Sequence, residues 1–181
     1  MPERTLTMGE VALLRPIFGA TLPYPTQVLD TNDGNWGGAD NSITPFDIPH
    51  MSNQLWTTDF SGASVPDESK WTFVHEMTHV WQYYHGVYKL AQFVGLVIVN
   101  KDYDDVYYYD LGQSYDLDSY NLEQQASIVA DYYFITKGLS PKYNRGSAKE
   151  RATYYHYIAQ VQSSDPIEVY PTRACTPNRP D

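Results

Sequence analysis

Cysteine is nearly absent from these 181 residues: Cys175 stands alone, so no intrachain disulfide can form and oxidative stapling does not hold the fold. Cations are also scarce. Twelve Lys and Arg face 22 Asp and Glu, leaving a formal charge of -10 and a pI near 4.7. A surface this acidic argues against duplex or single-stranded nucleic acid as a partner, because both need cationic grooves. It also disfavours anionic membrane surfaces. Long apolar runs are missing. The most apolar stretch, Val87 to Val99, contains Lys89 and Gln92 and is shorter than the roughly 20 residues of a spanning helix. No basic segment followed by an apolar core opens the chain, so no Sec-type signal is visible. No repeat or low-complexity tract appears. What is abundant is tyrosine, with 17 residues against 6 Phe and 4 Trp. Its apolar ring and polar tip suit half-wet surfaces and binding clefts.

With 42% hydrophobic and 19% charged residues, the chain can bury a core, and its length fits one domain over residues 1–181, with a proline-containing tail over 166–181. Thr7 and Glu10 form a capping box ahead of Val11–Leu14, which predicts a short helix limited by Pro16. Prolines and glycines then punctuate the chain up to Pro66, with strands expected over Thr26–Thr31 and Ser42–Met51. Asp30, Asn32 and Gly34 faintly resemble a calcium loop, but the later bidentate Glu is missing and a turn is expected. Pro66, Asp67 and Glu68 open a strong helix running to about His85, with Gly86 as its stop. Two adjacent apolar stripes along it predict burial on most of its surface. A buried helix over Leu90–Val99 follows. Next comes an acidic, Tyr-rich connection over Lys101–Ser119, with a hairpin near Leu111 and Gly112. A helix from Leu122 to Lys137 is capped by Asn121 and closed by Gly138, and a last helix covers Ser147–Ser163. Strands first and helices afterwards predict an α+β fold.

His75-Glu76-Met77-Thr78-His79 lies within the strongest helix. Two His at i and i+4 stand about 40° apart around the axis and one turn apart along it, so both can reach one metal ion. Zn²⁺ suits such ligands and lowers the pKa of a bound water to about 7. Glu76, directly after His75, can take that water's proton as general base and return it to a leaving amine. With 5 His and 7 Glu in the chain, chance yields about 0.004 such patterns in a shuffled sequence.

The third ligand is harder to read. His85 follows His79 by six residues, where metzincins carry their third His, but the resemblance to them fails: Gln82 stands where they have a helix-breaking Gly, and no Met lies downstream for their methionine turn. On a continuous helix His85 is rotated away by about 240°. Glu123, in the first turn of the next helix, is the better candidate; small residues on its face, Ser127 and Ala130, allow close approach to the motif helix. Asp116, Asp118 and Asp131 remain alternatives, Asp131 more as a group orienting a ligand histidine. Tyr154, Tyr155, His156 and Tyr157 are candidate oxyanion donors. Ser42–Met51, with His50, could offer an edge to an extended peptide. Lys137, Lys142, Arg145, Lys149 and Arg151 read as a solvated face. The tyrosines around the end of the motif helix, in the acidic connection and on the last helix could together border one metal cleft.

Phe18-Gly19, Thr44-Pro45, Thr58-Asp59-Phe60-Ser61, the block Phe73 to Gln82, and Glu123 to Asp131 together resemble a bacterial family. It is the metallopeptidase domain found at the C-termini of valine-glycine-repeat spike proteins of the type VI secretion system. The resemblance covers roughly residues 17 to 135. It implies a zincin-like fold: a small sheet, the motif helix and a second helix carrying the glutamate. By it, His75, His79 and Glu123 map to the zinc ligands and Glu76 to the general base. It further implies an antibacterial toxin that cleaves protein or peptide in the periplasm of a target cell, riding on a carrier spike without a Sec signal and countered by an immunity protein. The domain is expected to be monomeric. No spike domain is present here. Two other readings remain: amide hydrolysis in peptidoglycan, and a zincin scaffold kept only for binding.

Overall fold

The computed structural model describes residues 3–34, 40–87 and 103–167. It is α+β, with a small three-stranded sheet and four α-helices among the described residues. The elements run β1 (Arg4–Thr5), α1 (Met8–Phe18), β2 (Val28–Thr31), β3 (His50–Met51), α2 (Asp67–Tyr84), α3 (Leu122–Thr136) and α4 (Arg151–Gln162), with short 3-10 turns at Tyr103–Val106 and Leu117–Ser119. The expected helix over Leu90–Val99 lies outside the described residues, as does the tail beyond residue 167.

Strand β1 pairs antiparallel with β2, and β2 pairs parallel with β3, Asp30 opposite His50. The expected strands prove much shorter. Thr26 and Gln27 close a turn onto Pro23, and of Ser42–Met51 only the last two residues are strand, with Ile43 bridging back to His50. Pro45 and Pro49 lack the N–H that a longer ladder needs. Strand β1 was invisible to alternation because it has two residues.

Helix α1 runs through Pro16 rather than stopping at it. Proline removes one backbone bond, but it falls in the last turn. Burial of Leu14, Ile17 and Phe18 holds that turn, and the Gly19 N–H bonds the Arg15 carbonyl at 2.9 Å, with Gly19 at φ 59°. At its start the capping box is present: Glu10 N–H donates to Thr7 Oγ1 and Thr7 N–H to Glu10 Oε2. Glu10 is fully buried and also receives both Arg4 Nη atoms, at 2.8 and 2.6 Å, and the Phe60 N–H.

Helix α2 is buried continuously from Phe73 to Gln82, as two adjacent apolar stripes demand. Its most extensive packing is on α3, where Ala126, Ser127 and Ala130 are fully buried and leave room for close approach. Phe60 stacks on Phe73 at 4.7 Å. Asn121 caps α3 by accepting from Gln124 N–H, while Gln124 answers the Asn121 N–H. The same two side chains reach the carbonyls of Val106 and Tyr108, fixing the connection over the start of the helix. No hairpin forms near Leu111. Asp110 instead folds a turn, accepting from the Gly112 N–H, and Tyr109 bridges to Asn144. Helix α4 begins at Arg151, four residues later than expected.

Candidate metal centre

His75 and His79 leave α2 on one face, and Glu123 comes from the first turn of α3. His75 Nε2 lies 3.0 Å from Glu123 Oε2, His79 Nε2 lies 3.3 Å from the same oxygen, and the two Nε2 atoms are 3.3 Å apart. Ligands bound at about 2.0–2.1 Å in a tetrahedron stand about 3.3–3.4 Å from one another. The triangle of donor atoms therefore already has nearly the edge lengths that one tetrahedral ion requires. Two imidazoles and a carboxylate suit a borderline divalent cation, and this group could hold a metal ion. All three residues are buried, at 4%, 7% and 9% exposure.

The two histidines are oriented by different means. His79 Nδ1 donates to Gln82 Oε1 at 2.8 Å. The direction follows from the network: Gln82 Nε2 donates to the Leu122 carbonyl at 2.9 Å and to Gln125 Oε1 at 3.0 Å, and Gln125 Nε2 donates to the Tyr120 carbonyl. The Gln82 amide oxygen must then face the imidazole, and Nδ1 carries the proton. That leaves Nε2 as the coordinating atom. His75 is held by stacking: its ring lies on Trp71 at 5.1 Å and 24°, and against Tyr107 at 5.7 Å. Its Nδ1 is buried with no hydrogen-bond partner among the described residues.

Glu76 is 4% exposed and takes the Thr44 hydroxyl on Oε2 at 2.7 Å. Burial pushes its carboxyl pKa up, against the pull of His79, His75 and the Thr44 hydroxyl. For Glu123 burial also favours the neutral acid, but the charge of His79 and the hydrogen bonds from both imidazoles overcome it and hold the carboxyl far below its usual range. In the metal-free protein His79 answers in kind: burial opposes its charge, yet the Glu123 carboxylate beside it lifts its pKa to about 9.

Other residues singled out in the sequence fall elsewhere. Asp131 does not orient a histidine by hydrogen bonding. It is fully buried and accepts from Trp71 Nε1, the Tyr109 hydroxyl and the N–H groups of Lys142 and Tyr143, all at 2.7–3.0 Å. It reaches His75 through the Trp71 ring, which donates to Asp131 and stacks on His75. Asp116 and Asp118 lie outside the donor triangle. His85 turns away and donates to the Thr21 carbonyl at 3.0 Å, as its rotation on α2 requires. Tyr154 and Tyr157 are fully buried, their hydroxyls bound to Tyr109 and Asn144 and to the Ser114 carbonyl, which removes them as oxyanion donors. Tyr155 and His156 are exposed. Asn32 closes a turn on the Gly34 N–H, and Asp30 belongs to no metal-holding group among the described residues. Within the basic face, Lys142 pairs with Glu68 and Arg145 with Asp105. Sequence reasoning missed Gln82 and Thr44. Gln82 had a signal, since three residues beyond His79 it shares that histidine's helix face. Thr44 had none in spacing, because it reaches Glu76 across 32 residues.

No family model matches the chain. Over 134 residues, 72% of this chain, it is 35% identical to the type VI secretion system spike protein VgrG2b of Pseudomonas aeruginosa, of whose length it spans 13%. Its fold matches the solved effector domain of Pseudomonas aeruginosa VgrG2b with a TM-score of 0.65 and 29% identity, covering 87% of this chain and 83% of that one. Sequence and fold thus both relate the chain to a spike-associated type VI secretion effector domain. No helix among the described residues is long and apolar enough to cross a membrane.

Proposed function

We propose that this chain is a type VI secretion effector domain that hydrolyses peptide bonds as a zinc metallopeptidase of zincin-like fold. The observation that carries the reading is the His75–His79–Glu123 triangle with edges of 3.0–3.3 Å, set beside a buried glutamate whose carboxylate accepts its only hydrogen bond among the described residues from Thr44. Zinc, when bound, would polarise the scissile carbonyl and acidify water at the site. His75 and His79 would hold it through Nε2 and Glu123 through its carboxylate. Glu76 takes the proton of the attacking water and delivers it to the leaving amine. A base whose pKa is raised by burial is better matched to neutral pH than an ordinary carboxylate. The likeness to a spike protein's effector domain supports delivery on a carrier spike, and the proposed place of action is the periplasm of a target bacterium.

The test is metal analysis with proteolysis. Wild type should hold one zinc and cleave unfolded protein; Glu76→Ala should keep the zinc and lose the cleavage; Glu123→Ala should lose the zinc. Full zinc retention in Glu123→Ala would remove Glu123 from the site, and cleavage of isolated sacculi in place of protein would shift the substrate to peptidoglycan.

A further inference from the structure

Thr44 is 2% exposed, and its hydroxyl donates to Glu76 Oε2 at 2.7 Å. The Glu76 carbonyl, at 3.4 Å, is the poorer acceptor. The loop that carries this hydroxyl is stiff. Ile43, just before it, exchanges both backbone hydrogen bonds with His50, at 3.0 and 2.8 Å, and His50 is itself paired through β3 to β2. Pro45, just after it, confines Thr44 to extended backbone, and the β-branch restricts χ1. The hydroxyl is therefore presented from the sheet to a side chain delivered by α2. Without it, the Glu76 carboxylate sits on a flexible stem beside two imidazoles that attract it.

On the reading of Glu76 as general base, we propose that Thr44 is its positioning residue: it engages Oε2, keeps the carboxylate from turning onto the histidines, and leaves Oε1 as the oxygen that accepts the proton. Oε1 receives no hydrogen bond among the described residues.

Thr44→Val removes the hydroxyl at nearly constant shape, and Thr44→Ser keeps it. On a labelled unfolded protein substrate, Thr44→Val should lower kcat by about 10- to 100-fold, less than or at the low end of the roughly 10²–10⁴ that a general base supplies, with KM and zinc content unchanged; Thr44→Ser should restore most of the rate. A readout without turnover is the side-chain carboxyl ¹³C resonance of Glu76 in the metal-free protein, identified by its absence in Glu76→Gln. It should move in Thr44→Val and return in Thr44→Ser. An unmoved resonance overturns the proposal, and so does a Thr44→Val enzyme of wild-type kcat when Glu76→Gln is dead. A zinc-loaded wild type that cleaves nothing would instead sink the peptidase reading, and the positioning role with it.

Discussion

Replacing Gln82 by Leu tests whether the strut behind His79 sets metal affinity. The substitution nearly preserves volume but removes three hydrogen bonds from a fully buried side chain: from His79 Nδ1, to the Leu122 carbonyl and to Gln125 Oε1. Losing the group that orients a ligand imidazole typically weakens metal binding by about 10–100-fold. Here the effect should reach both sides of the site, because Leu122 is the backbone neighbour of Glu123. The stranded polar groups cost about 1–3 kcal/mol each when left buried. Their effects are not additive, so a total near 2–4 kcal/mol is expected, or a Tm lower by roughly 5–15 °C at about 2–4 °C per kcal/mol. Competition with a chromophoric chelator gives the zinc Kd under conditions where the variant remains folded, and urea unfolding gives the stability separately. A variant that lost stability but bound zinc with wild-type affinity would refute the reasoning: Gln82 would then be a core strut that the site does not use.

Three further outcomes follow from the same geometry. Glu10→Ala should destabilise by about 3 kcal/mol, the low end for breaking a buried pair because Arg4 keeps 18% side-chain exposure; a loss under about 1 kcal/mol in urea unfolding would show that the latch to Arg4 and Phe60 is dispensable. In the metal-free protein His79, with its pKa raised to about 9, should be charged at neutral pH, with Nδ1 donating to Gln82 and Nε2 to Glu123. Its contribution to metal-free stability is complete below its ordinary value near 6.5 and fades as pH climbs through 9. Metal must displace the Nε2 proton, so zinc uptake at pH 7 should release about one proton from this residue, and apparent affinity should rise with pH up to about 9. Calorimetry in buffers of different ionisation enthalpy reads this directly; a buffer-independent heat would count against it. Chelation of the zinc should leave the far-ultraviolet dichroism essentially unchanged, because the core formed by Leu14, Phe18, Phe73, Met77, Ile128 and Ile158 does not involve the donor triangle. Collapse on chelation would make the metal a folding element, as in small zinc modules.

Much of the donor set could be read in the sequence because it is local. The His75–His79 spacing is one helical turn, and Asn121 with Gln124 marks the start of the helix that carries Glu123. Helix type and register were legible for the same reason: capping residues and apolar stripes act over four residues. The rest depended on contacts between distant segments. Pro16 reads as a helix stop unless the burial of Ile17 and Phe18 is known. The strands shrank because a two-residue pairing has too little alternation to detect. Asp131 reads in the sequence as an alternative ligand or a group orienting a ligand histidine, but its four donors, Trp71, Tyr109, Lys142 and Tyr143, lie up to 60 residues away. Nothing in local spacing separates a carboxylate that orients a histidine from one that ties α2 to α3 through a tryptophan.

The tyrosines make the same point about long-range satisfaction. Their clustering around the end of α2, in the acidic connection and on α4 suggests one shared cleft wall. Of these, Tyr107 is the residue whose ring meets His75, at 5.7 Å, while Tyr83 and Tyr84 are each 40% exposed at the far end of α2. Tyr109, Tyr120, Tyr154 and Tyr157 instead form a buried edge-on cluster with ring centroids 6.0–6.5 Å apart. Every hydroxyl in it is committed: Tyr109 to Asp131 and Tyr154, Tyr154 to Asn144, and Tyr120 and Tyr157 to backbone carbonyls of the connection. A buried phenol left without a partner costs free energy, so a chain without disulfides that places tyrosine in its core must also supply those partners. For Tyr120 and Tyr157 the supply comes from the acidic connection itself, at Asp110, Leu111 and Ser114. The connection is thereby bound to α4 and, through Asn121 and Gln124, to the first turn of α3. The tyrosine excess thus acts on the site mainly by fixing the segment from which Glu123 departs.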